Sequence, residues 1–231
     1  MGAMRCALAL IAALALPAAA HAEGAGTSST AATYRVDPEG TRLMVLVRPR
    51  PSALFASLSH EHVVRASRVA GTVRWDPAHP EACGVALSIP VEGLVVDEPA
   101  MRKAVRLDGE LDEGDRATVT KHMRAEGQLD LARHPKITFE ATGCRVTAAP
   151  GDGPIKLVVQ GRLTVRGHAA NVAAPVTVRF SGAALEVEGE LSLTHAELGM
   201  SPYSAGLGTI ANDELLRFRI SVRATRPPPG G

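Results

Sequence analysis

The feature that most constrains the fold is a strict alternation of apolar and polar residues in the second half of the chain. Apolar residues or glycine occupy every second position in four segments: Ile155 to Val165, Val172 to Phe180, Leu185 to Leu193 and Leu216 to Val222. Most of the positions between them are polar. Because successive side chains of a strand point to opposite faces, each segment is predicted to be a strand with one dry face. Such strands are typical of an antiparallel sheet that covers a single core.

The alternation is interrupted between Asp97 and Leu131, where β-branched residues are few and Arg, Lys, Glu and Ala are frequent. Pro99 suits the first turn of a helix, because its missing N–H would have no partner there in any case. Asp115 is predicted to cap a second helix, and Gly127 is predicted to end it. The chain is therefore expected to carry a small insertion of two short helices.

The strands are expected to form a closed sheet around this insertion. About eight strands, each with one polar face, tend to curl and close so that no edge is left exposed. The predicted fold class is therefore all-β with a small helical insertion, in the form of a curled antiparallel β-barrel. Such a barrel holds either packed side chains or one small ligand. On the residues alone, a filled interior is the more common outcome, and a hollow interior stays open as the alternative.

The two ends of the chain differ in composition from the predicted domain. Residues 1–22 combine Arg5, an apolar run from Ala7 to Leu16 and the small residues Ala20 and Ala22, which is typical of a secretory signal peptide cleaved near Ala22. Residues 23–32 are predicted to be a flexible linker, residues 33–225 the folded domain, and residues 226–231 a disordered tail. We therefore expect an exported protein, and the Ala- and Arg-rich composition favours a bacterial periplasm.

Composition limits the partners and the lining of any pocket. The formal net charge is +1, so charge gives no reason to expect a nucleic-acid partner. Hydrophobic residues make up 45% of the chain and aromatic residues only 3%. A pocket inside the barrel would therefore be lined mainly by aliphatic side chains.

The histidines suggest one alternative chemistry. His60 and His62 are two residues apart, so on an extended segment their side chains share a face. With His195 they could bind a metal ion and support a metal-dependent enzyme. Histidines at a surface or at the mouth of a pocket are the commoner outcome, and the spacing His-Glu-x-x-His is absent from the sequence.

Five short motifs follow one another in a fixed order along the predicted domain. They are Tyr34-Arg35-Val36-Asp37-Pro38, the segment Val69 to Pro77, Lys121-His122-Met123, the run His134-Pro135-Lys136-Ile137-Thr138-Phe139, and the run Gly161-Arg162-Leu163-Thr164-Val165-Arg166-Gly167. Together they resemble the YceI-like family of lipocalin-like, polyisoprenoid-binding periplasmic proteins. The resemblance covers about Thr33 to Thr225.

This resemblance implies a lipocalin-like barrel that encloses an apolar tunnel and binds a long isoprenoid lipid, such as a quinone, without catalysis and without a required cofactor. A membrane cytochrome is a further expected partner, since relatives of the family can accompany one. The expected ligand-binding residues are apolar. They are Val45, Phe55, Leu58, Val73, Leu87, Ile89, Val119, Met123, Phe139, Leu163, Val178, Leu191 and Phe218.

The energetics of burial agree with a long chain as ligand. Burying one CH2 contributes roughly 0.8 kcal/mol, so one isoprene unit contributes on the order of 4 kcal/mol. Association costs on the order of 4 to 15 kcal/mol before any net affinity appears. A single unit is therefore not expected to bind by burial alone, whereas several units are.

Cleavage of the signal peptide would leave two cysteines, Cys83 and Cys144, in an oxidising compartment. Their strands are close together in the fold that the chain resembles, which makes a disulfide conceivable. The alternation places Cys83 on the inward face but gives Cys144 the outward parity of Thr142. A β-bulge at Gly143 would bring both cysteines to one face. The sequence leaves a disulfide and two free thiols both open.

Overall fold

The structure, a computed structural model, describes residues 31–54, 60–148 and 153–227. The predicted signal peptide, most of the predicted linker and most of the predicted tail lie outside these residues. None of the helices in the described part of the chain is both long enough and apolar enough to cross a membrane.

The described chain contains twelve strands and two α-helices. The strands are β1 (Ala32–Val36), β2 (Arg42–Pro49), β3 (His62–Ala66), β4 (Ala70–Trp75), β5 (Gly84–Pro90), β6 (Leu94–Val96), β7 (Lys136–Ala148), β8 (Ile155–Val165), β9 (His168–Phe180), β10 (Ala184–Thr194), β11 (Ser204–Ala205) and β12 (Ile210–Thr225). The helices are α1 (Pro99–Ala104) and α2 (Glu113–Arg124). Single 3-10 turns connect several of these elements.

Eight of the strands close into an antiparallel barrel in the order β1-β4-β5-β7-β8-β9-β10-β12. The ring closes because the last residues of β12 pair with β1, with Thr225 opposite Arg35. Earlier in β12, the same edge pairs instead with β2, where Ser221 lies opposite Arg42. Strands β3 and β6 continue the sheet outward from β2. The predicted all-β barrel of about eight strands with a small helical insertion is confirmed.

The antiparallel register gives the barrel two distinct ends. The β8–β9 turn, the end of β10 and the start of β3 lie at the end that carries α1 and α2, which we call the helical end. The β9–β10 turn and the end of β4 lie at the opposite end, next to Cys83. We call this the disulfide end, because Cys83 is bonded there to Cys144 with a Cα–Cα distance of 5.9 Å.

The disulfide depends on a local irregularity in β7. The register between β7 and β8 shifts between Ala141 and Gly143, so one extra residue is inserted in β7. Beyond this bulge Cys144 lies opposite Val159, which is buried in the barrel. The insertion reverses the parity of the following residues, and Cys144 therefore faces inward like Cys83.

The start and the end of the second helix differ from the prediction. Helix α1 begins at Pro99 as expected, but α2 is capped by Asp112, whose Oδ1 accepts a 2.8 Å hydrogen bond from the Asp115 N–H. Asp115 was wrongly assigned as the cap, because the extended backbone suited to that position belongs to Asp112. The helix also ends at Arg124, before Gly127, because the chain turns to an extended conformation at Ala125.

Candidate functional site

The interior of the barrel is hollow. A cavity of about 380 Å³ extends from the disulfide end, where Trp75 and Cys83 line it, to the helical end, where α2 and the chain around Tyr203 line it. Its wall is built from the inward positions of the alternating strands. Of the two outcomes that the sequence left open, a filled interior and a hollow one, the structure has the hollow one.

The apolar side chains predicted to bind a ligand lie on this wall wherever the structure describes them. They are Val45, Val73, Leu87, Ile89, Val119, Met123, Phe139, Leu163, Val178, Leu191 and Phe218. Phe55 and Leu58 lie outside the described residues. Contact of these side chains with a ligand stays a prediction.

Several wall residues were not included in the prediction. Trp75, Leu157 and Leu185 line the disulfide end of the cavity and are almost fully buried. The parity of Leu157 and Leu185 in their alternating strands was a sufficient signal to include both. The indole N–H of Trp75 is buried without a hydrogen-bond partner in the described part of the chain. Trp75 is also the single tryptophan of the sequence, so tryptophan fluorescence reports on the disulfide end of the cavity and its surroundings.

The polar side chains of the wall are concentrated at the helical end, whereas the disulfide end is apolar. The polar set consists of His62, His122, Gln128, His195, Tyr203 and Asn212. Among the described wall residues, Arg219 alone carries a permanent charge, and its Nε lies 3.3 Å from Oε1 of Glu190. The cavity is therefore an apolar channel with hydrogen-bonding groups at one end, which suits a long amphipathic molecule.

His62 belongs to a buried ionic network beneath the wall. Its Nδ1 lies 2.6 Å from Oδ2 of Asp97, a fully buried carboxylate. The other oxygen of Asp97 accepts hydrogen bonds from the Val63 N–H at 2.9 Å and from Nη1 of Arg102 at 3.1 Å. Asp97 also has a left-handed backbone, with a φ of 52°, which is a costly conformation for a residue with a side chain. This network was not predicted, because its members are distant in sequence and follow no motif.

The network keeps Asp97 ionised. Burial alone would raise the pKa of the Asp97 carboxyl, but the hydrogen bonds from His62, from Val63 and from Arg102 favour the charged form and lower the pKa overall. An ionised carboxylate can only accept hydrogen bonds, so Nδ1–H of His62 is the donor. In the neutral ring, Nε2 is then an acceptor.

Arg102 joins this network to the backbone around it. Its Nε donates to the Gly109 carbonyl at 2.9 Å, and its Nη1 donates to the Glu61 carbonyl at 2.7 Å. The side chain is almost fully buried. Arg102 belongs to α1 and Glu61 directly precedes His62, the first residue of β3. The guanidinium therefore ties the helix to the backbone just before this strand.

His195 has a similar arrangement on the other side of the helical end. It is almost fully buried, and its Nδ1 lies 2.9 Å from the carbonyl oxygen of Glu214. A carbonyl can only accept, so Nδ1 carries the proton and Nε2 is again an acceptor in the neutral ring.

Helix α2 covers the helical end without a buried face. None of its residues is buried, although Val119, His122 and Met123 line the cavity. The His122 ring stacks on Tyr203 with the ring centroids 5.0 Å apart, and Gln128 donates to the Ser201 carbonyl at 3.2 Å. At the end of the helix, Met123 packs against buried residues of the core, and Nη2 of Arg124 donates to the carbonyls of Glu92 and Leu94 at 2.7 and 3.3 Å. The helix is therefore attached mainly through its last turn.

The alternative metal site does not assemble in the described part of the chain. No group of three His, Cys, Asp or Glu side chains within residues 31–54, 60–148 and 153–227 is placed to hold a metal ion. His62 is bonded to Asp97 and His195 to a backbone carbonyl, whereas His60 is exposed in the segment before β3. The histidines that sequence spacing grouped are separated because only His62 belongs to the strand.

Comparison with known proteins gives the same fold. The model of the YceI-like domain family matches residues 34–222. BcnA of Burkholderia cenocepacia is 19% identical, with a TM-score of 0.59 over 82% of this chain and 99% of that one. A polyisoprenoid binding domain from Saccharophagus degradans, implicated in plant cell wall breakdown, is 13% identical, with a TM-score of 0.57 over 84% of this chain and 98% of that one. No curated protein matches the chain.

Proposed function

We propose, because this chain belongs to the family of YceI-like domains, that its barrel binds one long-chain isoprenoid or related lipid and carries it without catalysing a reaction. The observation that supports this proposal best is the cavity itself. It passes from one end of the barrel to the other and is lined almost throughout by aliphatic side chains. A lipid tail in this cavity would exchange contact with water for contact with apolar side chains.

The distribution of polar groups supports a ligand with one polar end. The disulfide end of the cavity offers Val73, Leu157 and Leu185, which suit the far end of an isoprenoid tail. The helical end offers the polar set defined above. The relative from Saccharophagus degradans is described as a polyisoprenoid binding domain, which agrees with a ligand of this shape.

A periplasmic location is part of the proposal. The signal-like residues 1–22 support export, and the disulfide between Cys83 and Cys144 suits an oxidising compartment. A carrier outside the cytoplasm would shield the lipid tail from water between membranes.

Titration of the purified protein with a long-chain polyprenol tests the proposal, with Trp75 emission as the readout. Saturable binding is expected for the long chain and not for an alcohol of a single isoprene unit, because one unit does not offset the cost of association. Two neighbouring alanines of β9 provide a blocked variant and its control. Ala174 is buried on the cavity wall, whereas Ala173 is exposed on the outer face.

Ala174→Phe is expected to abolish or strongly weaken polyprenol binding, and Ala173→Phe is expected to leave it unchanged. Circular dichroism of both variants checks that the barrel is intact. Equal binding by the two folded variants, or an absence of binding by the unmodified protein, would contradict a lipid site inside the barrel.

A further inference from the structure

We propose that the helical end of the cavity recognises a hydroxyl head group, and that His62 accepts its hydrogen bond through Nε2. This inference rests on the lipid-carrier function proposed above and adds the chemistry of the head group. A polyprenol or a reduced quinone presents such a hydroxyl, whereas a prenyl phosphate and a prenyl ether do not present it in the same way.

The His62 ring is oriented with Nδ1 toward Asp97 and away from the cavity. Its Nδ1 is 2.6 Å from the Asp97 carboxylate, and the side chain is 18% exposed while it lines the cavity. Since Nδ1 is engaged below the wall, Nε2 is the ring nitrogen left for a molecule inside the cavity. In the described part of the chain, Asp97 is the one hydrogen-bond partner of this ring.

The hydrogen bond to Asp97 determines which ring nitrogen of His62 bears the proton. Asp97 accepts from His62, from the Val63 N–H and from Arg102, so the carboxylate holds the Nδ1–H tautomer of the imidazole. The neutral ring therefore presents a lone pair at Nε2. A lone pair forms a hydrogen bond with a donor such as O–H. A carbonyl or ether oxygen is itself an acceptor and forms no hydrogen bond with Nε2.

The surroundings of His62 agree with an uncharged hydroxyl. His195, at the same end of the cavity, also has its Nδ1 engaged and presents an acceptor at Nε2. A phosphate would need a cation, and among the described wall residues the sole permanent cation is Arg219, which is paired with Glu190. Two acceptors and no unpaired cation favour O–H over a phosphate.

The network also has a structural role, since Arg102 ties α1 to the start of β3 through Asp97 and the Glu61 carbonyl. His62 is the one network member on the cavity wall. A substitution that keeps the bond to Asp97 and removes only Nε2 therefore separates recognition from folding. His62→Asn does this, because the amide N–H of Asn can replace Nδ1–H and nothing replaces Nε2.

The experiment compares a long-chain polyprenol, its methyl ether and its phosphate at one mildly alkaline pH, so that the three affinities refer to the same state of the protein. Trp75 emission gives each affinity. The unmodified protein is expected to bind the alcohol roughly three- to tenfold more tightly than the ether, which is the range for one hydrogen bond. His62→Asn is expected to bind both equally, with the affinity for the ether unchanged.

His79→Asn is the matched control. His79 also has Nδ1 near a carboxylate, 3.3 Å from Glu81, but it lies on the surface away from the cavity. This variant is expected to keep the preference for the alcohol.

The outcomes separate the two proposals. If the unmodified protein binds none of the three lipids, the carrier function itself fails. If it binds the alcohol and the ether equally, or the phosphate most tightly, the inference about His62 is overturned while the carrier function stands. A His62→Asn variant that keeps the preference for the alcohol would also overturn it, and the comparison in the unmodified protein decides the question even if this variant does not fold.

Discussion

The ring of Phe139 on β7 lies against the backbone of Gly161 on β8, in the space that a side chain at position 161 would occupy. A Cβ at Gly161 would contact the edge of this ring and would lie 2.7 Å from the carbonyl oxygen of Glu140. Phe139 can therefore lie along the wall of the cavity, rather than across it, because residue 161 has no side chain.

Gly161→Ala is expected to lower the free energy of unfolding by about 1–3 kcal/mol, the range for overpacking of a filled site. The added methyl group should also push the Phe139 ring into the cavity and weaken lipid binding. Chemical denaturation measures the first effect. Gly143→Ala on β7 is the control, because its Cβ would meet only Oε1 of Gln160, at 3.7 Å, and it should have little effect on either property.

The disulfide is expected to contribute substantially to stability. It joins residues 61 positions apart, and closing a loop of that length in the unfolded chain is worth about 4 kcal/mol. The double variant Cys83→Ser/Cys144→Ser should lose on the order of 2–5 kcal/mol of unfolding free energy. Reductant should destabilise the unmodified protein by a similar amount and leave the double variant unchanged. Equal stability of oxidised and reduced protein would contradict the pairing.

Asp97 should make the protein sensitive to acid. Its pKa in the folded state is below the ordinary value of 3.8, so its contribution to stability is fully present above that pH. Below pH 3.8 the unfolded state binds more protons than the folded state, so this contribution is lost as the pH falls through the folded pKa. Glu98, whose pKa is lowered chiefly by hydrogen bonds from Arg65, acts in the same direction.

Asp97→Asn is expected to cost about 3–5 kcal/mol at neutral pH, because it leaves the buried Arg102 guanidinium without its charged partner. The free energy of unfolding should also fall less steeply below pH 4, because the variant has about one carboxyl group fewer to protonate. Denaturation at several pH values measures this slope. Glu92→Gln is the control. It breaks an exposed pair with Arg68 and should cost at most about 1 kcal/mol.

Helix α2 should be the least stable cover of the cavity. Asp112→Ala removes its cap and is expected to weaken the helix by about 1 kcal/mol. Hydrogen exchange should then be faster across Glu113–Arg124, with the barrel strands unaffected. Asp115→Ala, which alters a residue of the first turn but not the cap, should have a smaller effect. Bound lipid should slow exchange in α2, because Val119 and Met123 line the cavity.

The barrel could be predicted from the sequence because its strands are half-buried. In β8, β9 and β10 one face meets the cavity and the other meets water, so the apolar positions alternate along each strand. The wall positions Leu163, Val178 and Leu191 follow from that parity alone. The two short helices could be predicted from the interruption of the pattern.

The pairing of β12 with two different strands and the helical end of the cavity could not be predicted in this way. Strand β12 pairs with β1 at its end and with β2 before it, and no local pattern encodes a strand that changes partner. The network of His62, Asp97 and Arg102 joins β3 to the α1 region through tertiary contacts. Its members lie up to 40 positions apart, from His62 to Arg102, so spacing rules do not find them.

Native mass spectrometry of the protein purified from its own host is the most direct test of lipid binding inside the barrel, since it weighs the protein together with whatever the cavity holds. We expect a folded species that carries one lipid, released on collisional activation with a mass that fits a long isoprenoid chain. Ala174→Phe should be recovered without the lipid and Ala173→Phe with it. Lipid-free protein that takes up no long-chain polyprenol or quinone on addition would rule out a lipid carrier.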